Sequence, residues 1–312
     1  MALPVTPTQI DDAAERIASH VRRTPVFDVE REAFGHPATL KLELLQHTGS
    51  FKPRGAFNRV LSSVVPEAGL IAASGGNHGL AVAHVATRLG VPAEIFVPET
   101  SPAVKVDRLR GFGSEVTVTV GGALYADAQE ASTRRATETK ALVVHPYDQP
   151  EVVAGQGTMA RELEDQVDGL DTVLVAVGGG GLIAGAACWF AGRVRVVGVE
   201  PVTSCALATA MAEGRPVDVE VSGLASDSLG ARRVGELAFA AASEAVSEVV
   251  TVADEDIAAA QRRLWEQARL VAEPGGATAL AAVCSGAYRP EPAERVAIVV
   301  CGANTDPSRL AS

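Results

Sequence analysis

The sequence predicts an α/β protein whose sheets are mostly parallel and flanked by helices. Three observations carry that expectation. Short apolar runs of strand length alternate regularly with helical patterns, joined by brief loops, and such alternation builds parallel strands with helices packed on both faces. Two of these runs end directly in glycine-rich turns that open helices, Ser74-Gly75-Gly76-Asn77-His78-Gly79 and Gly178-Gly179-Gly180-Gly181. Finally, 47% of the 312 residues are apolar, enough for a sizeable core in one large or two medium domains.

Taken in order, Thr6 or Thr8 caps a first helix that runs to about Val21 with Ile10, Ala13, Ile17 and Val21 on one face, and Arg23-Thr24-Pro25 breaks it. Ala38 to Leu44 alternates as a strand, and Arg54 to Val64 is helical. Leu70 to Ala73 is a short buried strand, followed by a helix from about Leu80 to Leu89 that Gly90 and Pro92 stop. Strands at Ala93–Val97, Val116–Val120 and Ala141–Val144 alternate with helices at Pro102–Arg110 and Ala123–Thr139. Pro150 to Gln166 reads as a helix loosened by Gly155 and Gly157. Strands follow at 171–177, 193–199, 249–252 and 296–300. Between them come helices at Leu182–Phe190, Ala206–Ala212 and Ala231–Ala242, one capped by Asp254, and one at Ala277–Cys284. Ser222 to Gly230 reads as a polar loop, and Glu273-Pro274-Gly275-Gly276 as the end of a helix.

Composition narrows the partners. With 27 basic against 38 acidic residues the net charge is −11, which argues against nucleic acid or an anionic membrane. Cys188, Cys205, Cys284 and Cys301 lie far apart with no CxxC, so a reducing, cytoplasmic setting is expected rather than a disulfide framework or a zinc site. The N-terminus lacks a basic stretch followed by an apolar run, and no apolar run is long enough to span a membrane.

The stretch Thr48-Gly49-Ser50-Phe51-Lys52-Pro53-Arg54-Gly55 presents one lysine at a strand-to-helix junction. Gly49 and Gly55 permit tight turning, and Pro53 suits a helix start. A lysine held there, desolvated near a helix N-terminus, loses some preference for its ammonium form, and a neutral amine is what Schiff-base chemistry needs. Ser74 to Asn77 forms a nest of backbone N–H groups suited to an anion, or simply a tight turn with Asn77 as cap. Four glycines between a buried strand and a helix free backbone N–H groups and the helix dipole to meet a phosphate. Gly179-x-Gly181-x-x-Ala184, with Glu200 about twenty residues on, also fits a dinucleotide fingerprint. That nicotinamide-dependent dehydrogenase reading leaves the lysine loop and the Ser-Gly-Gly-Asn turn unexplained.

The segments TGSFKPRGAFN, SGGNHG, HPYDQPEVVAGQGT, VGGGGLIAG, GVEP, EPGGA and VVCGAN occur in this order across almost the whole chain. Together they resemble the serine/threonine dehydratase group of fold type II pyridoxal-phosphate enzymes, which includes serine racemases. The resemblance implies a two-domain fold like the tryptophan synthase β chain. Residues 69–148 would form the smaller domain, inserted into a large domain of 1–68 and 149–312, with pyridoxal 5′-phosphate in the cleft between them. It implies that Lys52, beside Phe51, holds the cofactor covalently and acts as the catalytic base. Gly178, Gly179, Gly180, Gly181 and Leu182 would hold its phosphate, Asn77 would bond the ring oxygen, and Cys301 would face the ring nitrogen. Ser74, Gly76 and His78 would meet the substrate carboxylate. The implied reaction is β-elimination of L-threonine, L-serine or a related 3-hydroxy amino acid to a 2-oxo acid and ammonia, by a homodimer. Other fold type II activities, β-replacement, threonine synthesis or serine racemisation, are the alternatives.

Two departures matter. Serine racemases that resemble this chain carry a second serine where Gly75 stands, so elimination without efficient racemisation is expected. The divalent-metal site of some relatives pairs the Glu200 position with an Asp six residues later, which here is Ala206, so no metal is assigned. Tyr147 takes an aromatic place common among dehydratases, or packs at a domain joint. Asp306, His47 and His20 read as structural. No long extension follows Asn304, so the regulatory domain of isoleucine-pathway enzymes is not expected.

Overall fold

The computed structural model describes residues 2–101 and 103–310. Two open sheets organise them. Six strands form the first: β1 (Val26–Val29), β2 (Ala38–Lys41), β7 (Thr172–Ala176), β8 (Arg195–Pro201), β9 (Glu248–Val252) and β10 (Val296–Val299), in the order β1-β2-β10-β7-β8-β9. The second sheet has the order β5-β4-β3-β6, from β3 (Leu70–Ala73), β4 (Ala93–Val97), β5 (Val116–Val120) and β6 (Leu142–Val143). Every pairing is parallel except β1 with β2. The mostly parallel α/β class read from the sequence is therefore borne out. β3 and β7 are buried along their whole length, as expected for strands covered on both faces.

The helices are α1 (Pro7–Ile17), α2 (Arg31–Phe34), α3 (Lys52–Leu61), α4 (Asn77–Leu89), α5 (Ala103–Arg110), α6 (Tyr125–Thr139), α7 (Pro150–Glu164), α8 (Gly181–Phe190), α9 (Ala206–Glu213), α10 (Ser226–Leu229), α11 (Glu236–Ala245), α12 (Asp254–Ala268) and α13 (Pro274–Ser285). Thr6 caps α1: its Oγ1 accepts from Gln9 N and its own N donates to Gln9 Oε1, a reciprocal capping box. The expected helix start at Pro102 lies outside the described residues.

Several local expectations are corrected. The strand read at Ala38–Leu44 ends at Lys41, because the chain tightens into 3-10 turns at Glu43–Leu45 and His47–Gly49. The Ser222–Gly230 loop contains the short helix α10. Glu273 does not close a helix but stands before Pro274, the first residue of α13. Gly155 and Gly157 do not loosen α7. They are the points at which neighbouring backbones touch it. A Cβ on Gly155 would lie 2.6 Å from the Arg54 carbonyl oxygen, and one on Gly157 3.0 Å from that of Gly185.

The core follows the two sheets. One large cluster surrounds the six-stranded sheet. A second, around β3 and β4, also takes Ile17 from α1 and Ala56, Phe57 and Val60 from α3, so the helix that begins at Lys52 bridges the two layers. His47 stacks on His84, their ring centroids 4.8 Å apart, and His20 stacks on Phe57.

A Cβ on Gly185 would lie 2.4 Å from the Gly157 nitrogen and 2.8 Å from the Val153 carbonyl oxygen. Backbone cannot yield as a flexible side chain does, so Gly185→Ala is expected to destabilise the fold by about 2 kcal/mol or more through overpacking. Urea unfolding checks this, and an unchanged midpoint would contradict the α7–α8 contact.

Candidate active site

Three loops meet below the cleft between the sheets. The lysine loop turns through Thr48 (φ 62°) and Gly49 (φ 77°), the left-handed region that costs Thr48 some strain. It is stitched to the segment after β10. Phe51 N donates to the Cys301 carbonyl at 3.2 Å, Ala303 N donates to the Gly49 carbonyl at 2.9 Å, and Ser50 and Gly302 form a β-bridge. The turn before α13 joins through Glu273 N, which donates to the Gly302 carbonyl at 3.1 Å.

Lys52 is the first residue of α3. Its Nζ donates to the Pro146 carbonyl at 2.8 Å and lies 5.0 Å from the centre of the Phe51 ring. Burial of the amine pulls its pKa down to about 8, against the opposing pull of Cys301 and Glu273. An enclosed amine bonded to a neutral carbonyl gains little from being charged, which is the property the sequence reading required.

Gly178 to Gly181 link β7 to α8, with Gly180 in the left-handed region (φ 89°). Packing demands all four glycines. A Cβ would lie 3.0 Å from Leu229 at Gly178, 2.1 Å from the Tyr147 ring at Gly179, 2.4 Å from Ala238 at Gly180, and 3.0 Å from Tyr147 at Gly181. The run by itself therefore does not require a phosphate. The better sign is that, among the described residues, no protein group accepts a hydrogen bond from the N–H groups of Gly178 to Leu182. Open N–H groups at a helix N-terminus make an anion site. Tyr147 packs against this loop. Its ring covers the glycine loop, its hydroxyl donates to the Arg233 carbonyl at 3.3 Å, and burial pushes it up to about 12.

On the other side of the same cavity lie Cys301 and Asn77. The Cys301 thiol is buried and donates to the Gly275 carbonyl at 3.4 Å. Burial raises its pKa, so it stays a neutral thiol. Asn77 is held from both sides: its Nδ2 donates to Glu273 Oε1 at 2.6 Å, and its Oδ1 accepts from Asn304 Nδ2 at 2.5 Å. Asn304 also donates to the Thr48 carbonyl at 2.8 Å. Burial pushes the Glu273 carboxyl up to about 7, with the Asn77 bond opposing.

Ser74 Oγ accepts from Gly76 N at 3.1 Å and shapes the nest. His78 turns away from the cleft: its Nε2 donates to the Val144 carbonyl at 2.8 Å, and burial brings its pKa down to about 3. Its imidazole is therefore neutral and committed to that carbonyl, away from a substrate carboxylate. Glu200, the ribose ligand of the dehydrogenase reading, is fully buried. Its carboxylate oxygens accept from Leu207 N and Ala208 N, both at 2.8 Å, so it caps α9 and cannot reach a ribose. Sequence reasoning missed Glu273, Asn304 and Pro146 as site residues. Each lies in a segment it had singled out, but their roles come from which loops meet.

The family model for pyridoxal-phosphate dependent enzymes matches residues 17–302. The chain belongs to that family. It is 36% identical over 309 residues to L-threonine ammonia-lyase of Thermotoga maritima, covering 97% of this chain and 76% of that protein. It is 35% identical over 303 residues to phenylserine dehydratase of Ralstonia pickettii, covering 95% and 92%. Among solved structures, maize serine racemase superposes with a TM-score of 0.91 at 31% identity, covering 99% of this chain and 96% of that one. The chain spans about half (48%) of a biosynthetic L-threonine dehydratase of Haemophilus influenzae. Pyridoxal phosphate is the cofactor of this family, and the cavity fits it: an enclosed amine, open N–H groups and a neutral thiol line one space.

In the apoprotein, a Lys52 pKa near 8 makes the reactive free amine roughly a tenth of the total at pH 7 and half at pH 8. The rate of pyridoxal phosphate capture should therefore rise with pH and level off above a midpoint near 8. Stopped-flow absorbance of the bound cofactor measures it. A midpoint above 10 would mean that the amine is solvated.

Proposed function

We propose that this protein is a pyridoxal-phosphate-dependent ammonia-lyase that converts an L-3-hydroxy amino acid, threonine, serine or a bulkier analogue, to its 2-oxo acid and ammonia. The observation that carries this reading is the enclosed Lys52 amine, poised near neutrality in one cavity with the open glycine loop. Relatives named threonine ammonia-lyase and phenylserine dehydratase, over most of their lengths, support it.

When bound, pyridoxal phosphate supplies the electron sink that stabilises a carbanion at the substrate Cα. The remaining roles belong to the chain. The N–H groups of Gly178 to Leu182 would hold the phosphate. The Lys52 amine, once free, accepts the Cα proton as general base, a task suited to a pKa near working pH. Cys301, whose buried thiol stays neutral, would face the ring nitrogen and would place no full negative charge there. Asn77, locked between Glu273 and Asn304, would present its amide to the ring oxygen. The Ser74–Asn77 turn and the His78 N–H receive the substrate carboxylate. The Cα proton and the β-hydroxyl leave as one water, and the resulting enamine tautomerises to an imine that one water hydrolyses to the 2-oxo acid and ammonia. The reading extends to a homodimer in the cytoplasm.

A cavity of about 880 Å³ opens from the same turn and is walled partly by Leu80, Val104, Leu224 and Pro274. That space admits β-substituents larger than a methyl group. A panel of L-3-hydroxy amino acids assayed for 2-oxo acid release tests the reading. Release from at least one member is expected, and none from any member would refute it.

Gly75 carries no proton to deliver to the face opposite Lys52, so serine is expected to yield pyruvate far faster than D-serine. A Cβ at Gly75 would meet only the movable Ser101 hydroxyl closely, at 3.2 Å. Gly75→Ser should therefore fold and raise D-serine formation relative to pyruvate. Wild-type protein that forms both at comparable rates would contradict this account.

A further inference from the structure

Two residues after Lys52 the chain leaves the cleft. Arg54 enters a buried cluster of four formal charges, two of each sign. Its guanidinium grips Glu43 with both arms, Nε to Oε2 at 2.8 Å and Nη2 to Oε1 at 2.7 Å, and reaches Glu162 Oε2 at 3.1 Å and Thr158 Oγ1 at 3.3 Å. Lys41 Nζ donates to Glu162 Oε1 at 2.5 Å, Gln166 Oε1 at 2.7 Å and the Thr24 carbonyl at 2.8 Å. Thr24 Oγ1 donates to Glu43 Oε1 at 2.6 Å. Arg54, Lys41 and Glu43 are at most 1% exposed and Glu162 8%.

Such a cluster is a poor stability device, because well-packed apolar side chains of similar volume do as well or better. What it does impose is a single geometry, since any shift leaves a buried charge without its partner. The segments it joins are those that fix Lys52. Lys41 and Glu43 lie on the chain entering the lysine loop, Arg54 on the chain leaving it, and Thr158 and Glu162 on α7. That helix begins four residues after Pro146, whose carbonyl accepts from Lys52 Nζ. At one point the two backbones touch directly, for a Cβ on Gly155 would lie 2.7 Å from Gly55 Cα.

We propose that Arg54, with Glu43, Glu162 and Lys41, is a positioning set that fixes the register of α3 on α7 and so delivers the Lys52 amine to one place in the cleft. This inference rests on the role given to Lys52 above. Two variants test it in the cofactor-loaded enzyme. The double variant R54M/E43L removes one charge of each sign and leaves the Lys41–Glu162 pair. R54K keeps the charge but loses the two-armed grip.

Measured where each variant is fully folded, both should load pyridoxal phosphate and lower kcat by about tenfold to a hundredfold, as small misplacements of a catalytic group do. KM should change little. The pH midpoint for cofactor capture by the apoprotein should also move. If the double variant fails to fold, R54K decides alone. Wild-type kcat and capture midpoint in the folded variants, whatever their melting temperatures, would overturn the proposal. Wild-type protein that takes up no pyridoxal phosphate would instead refute the function. The positioning claim would then be read from acylation of surface and cleft amines, mapped by mass spectrometry. Lys52 labelling should change in R54K while that of Lys140 does not, and unchanged Lys52 labelling would overturn it.

Discussion

One contact organises this protein: a lysine amine enclosed in a cleft and bonded to a backbone carbonyl instead of a carboxylate. Lys52 Nζ meets Pro146 at 2.8 Å, and no acid stands within ion-pair distance among the described residues. A carboxylate there would favour the ammonium form, which cannot attack a carbonyl. Burial alone would make an unpartnered amine costly, so the carbonyl supplies one hydrogen bond without supplying charge. The cost of desolvation is thereby spent on reactivity rather than removed.

The surrounding groups follow the same economy of charge. The Cys301 thiol is too deeply buried to ionise. Burial moves the Glu273 carboxyl to about 7, so near neutral pH it is only partly charged. His78 is held neutral beside the turn. A cavity lined by such groups suits a cofactor whose phosphate brings its own negative charge to open N–H donors. Full charges are kept one layer back, in the Arg54–Glu43–Glu162–Lys41 cluster, where they are paired and away from the reacting atoms.

Much of this was legible in the sequence, and the reasons are local. Largely buried parallel strands appear as plain apolar runs, so β3 and β4 were placed to the residue; β5, a half-exposed edge strand, was placed through its run of alternating valine and threonine. The strand-glycine-helix junctions at Asn77 and Gly178 announce themselves through composition. β1 escaped notice because it is a four-residue edge strand, half exposed and paired antiparallel, with no apolar run to mark it. The strand at Ala38 was read too long because Leu42 and Leu44 continue its apolar alternation while the chain tightens into a 3-10 turn at Glu43–Leu45. Glu273 looked like a helix terminator, since a Glu-Pro-Gly-Gly string gives the same signal before a helix as after one. Only the meeting of residues 48–51, 273–276 and 301–304 turns Glu273 and Asn304 into partners of Asn77, and no single segment encodes that meeting. The glycines of α7 mislead in the same way: propensity reads them as weakness, whereas two neighbouring helices need them for contact.

The account stands on Lys52 being the residue that holds the cofactor. Borohydride reduction of the pyridoxal-phosphate-loaded protein, followed by digestion and mass spectrometry, tests that most directly. The visible cofactor band should vanish and the reduced pyridoxyl mass should sit on Lys52 alone. A label on another lysine, or a cofactor that washes away after reduction, would contradict it.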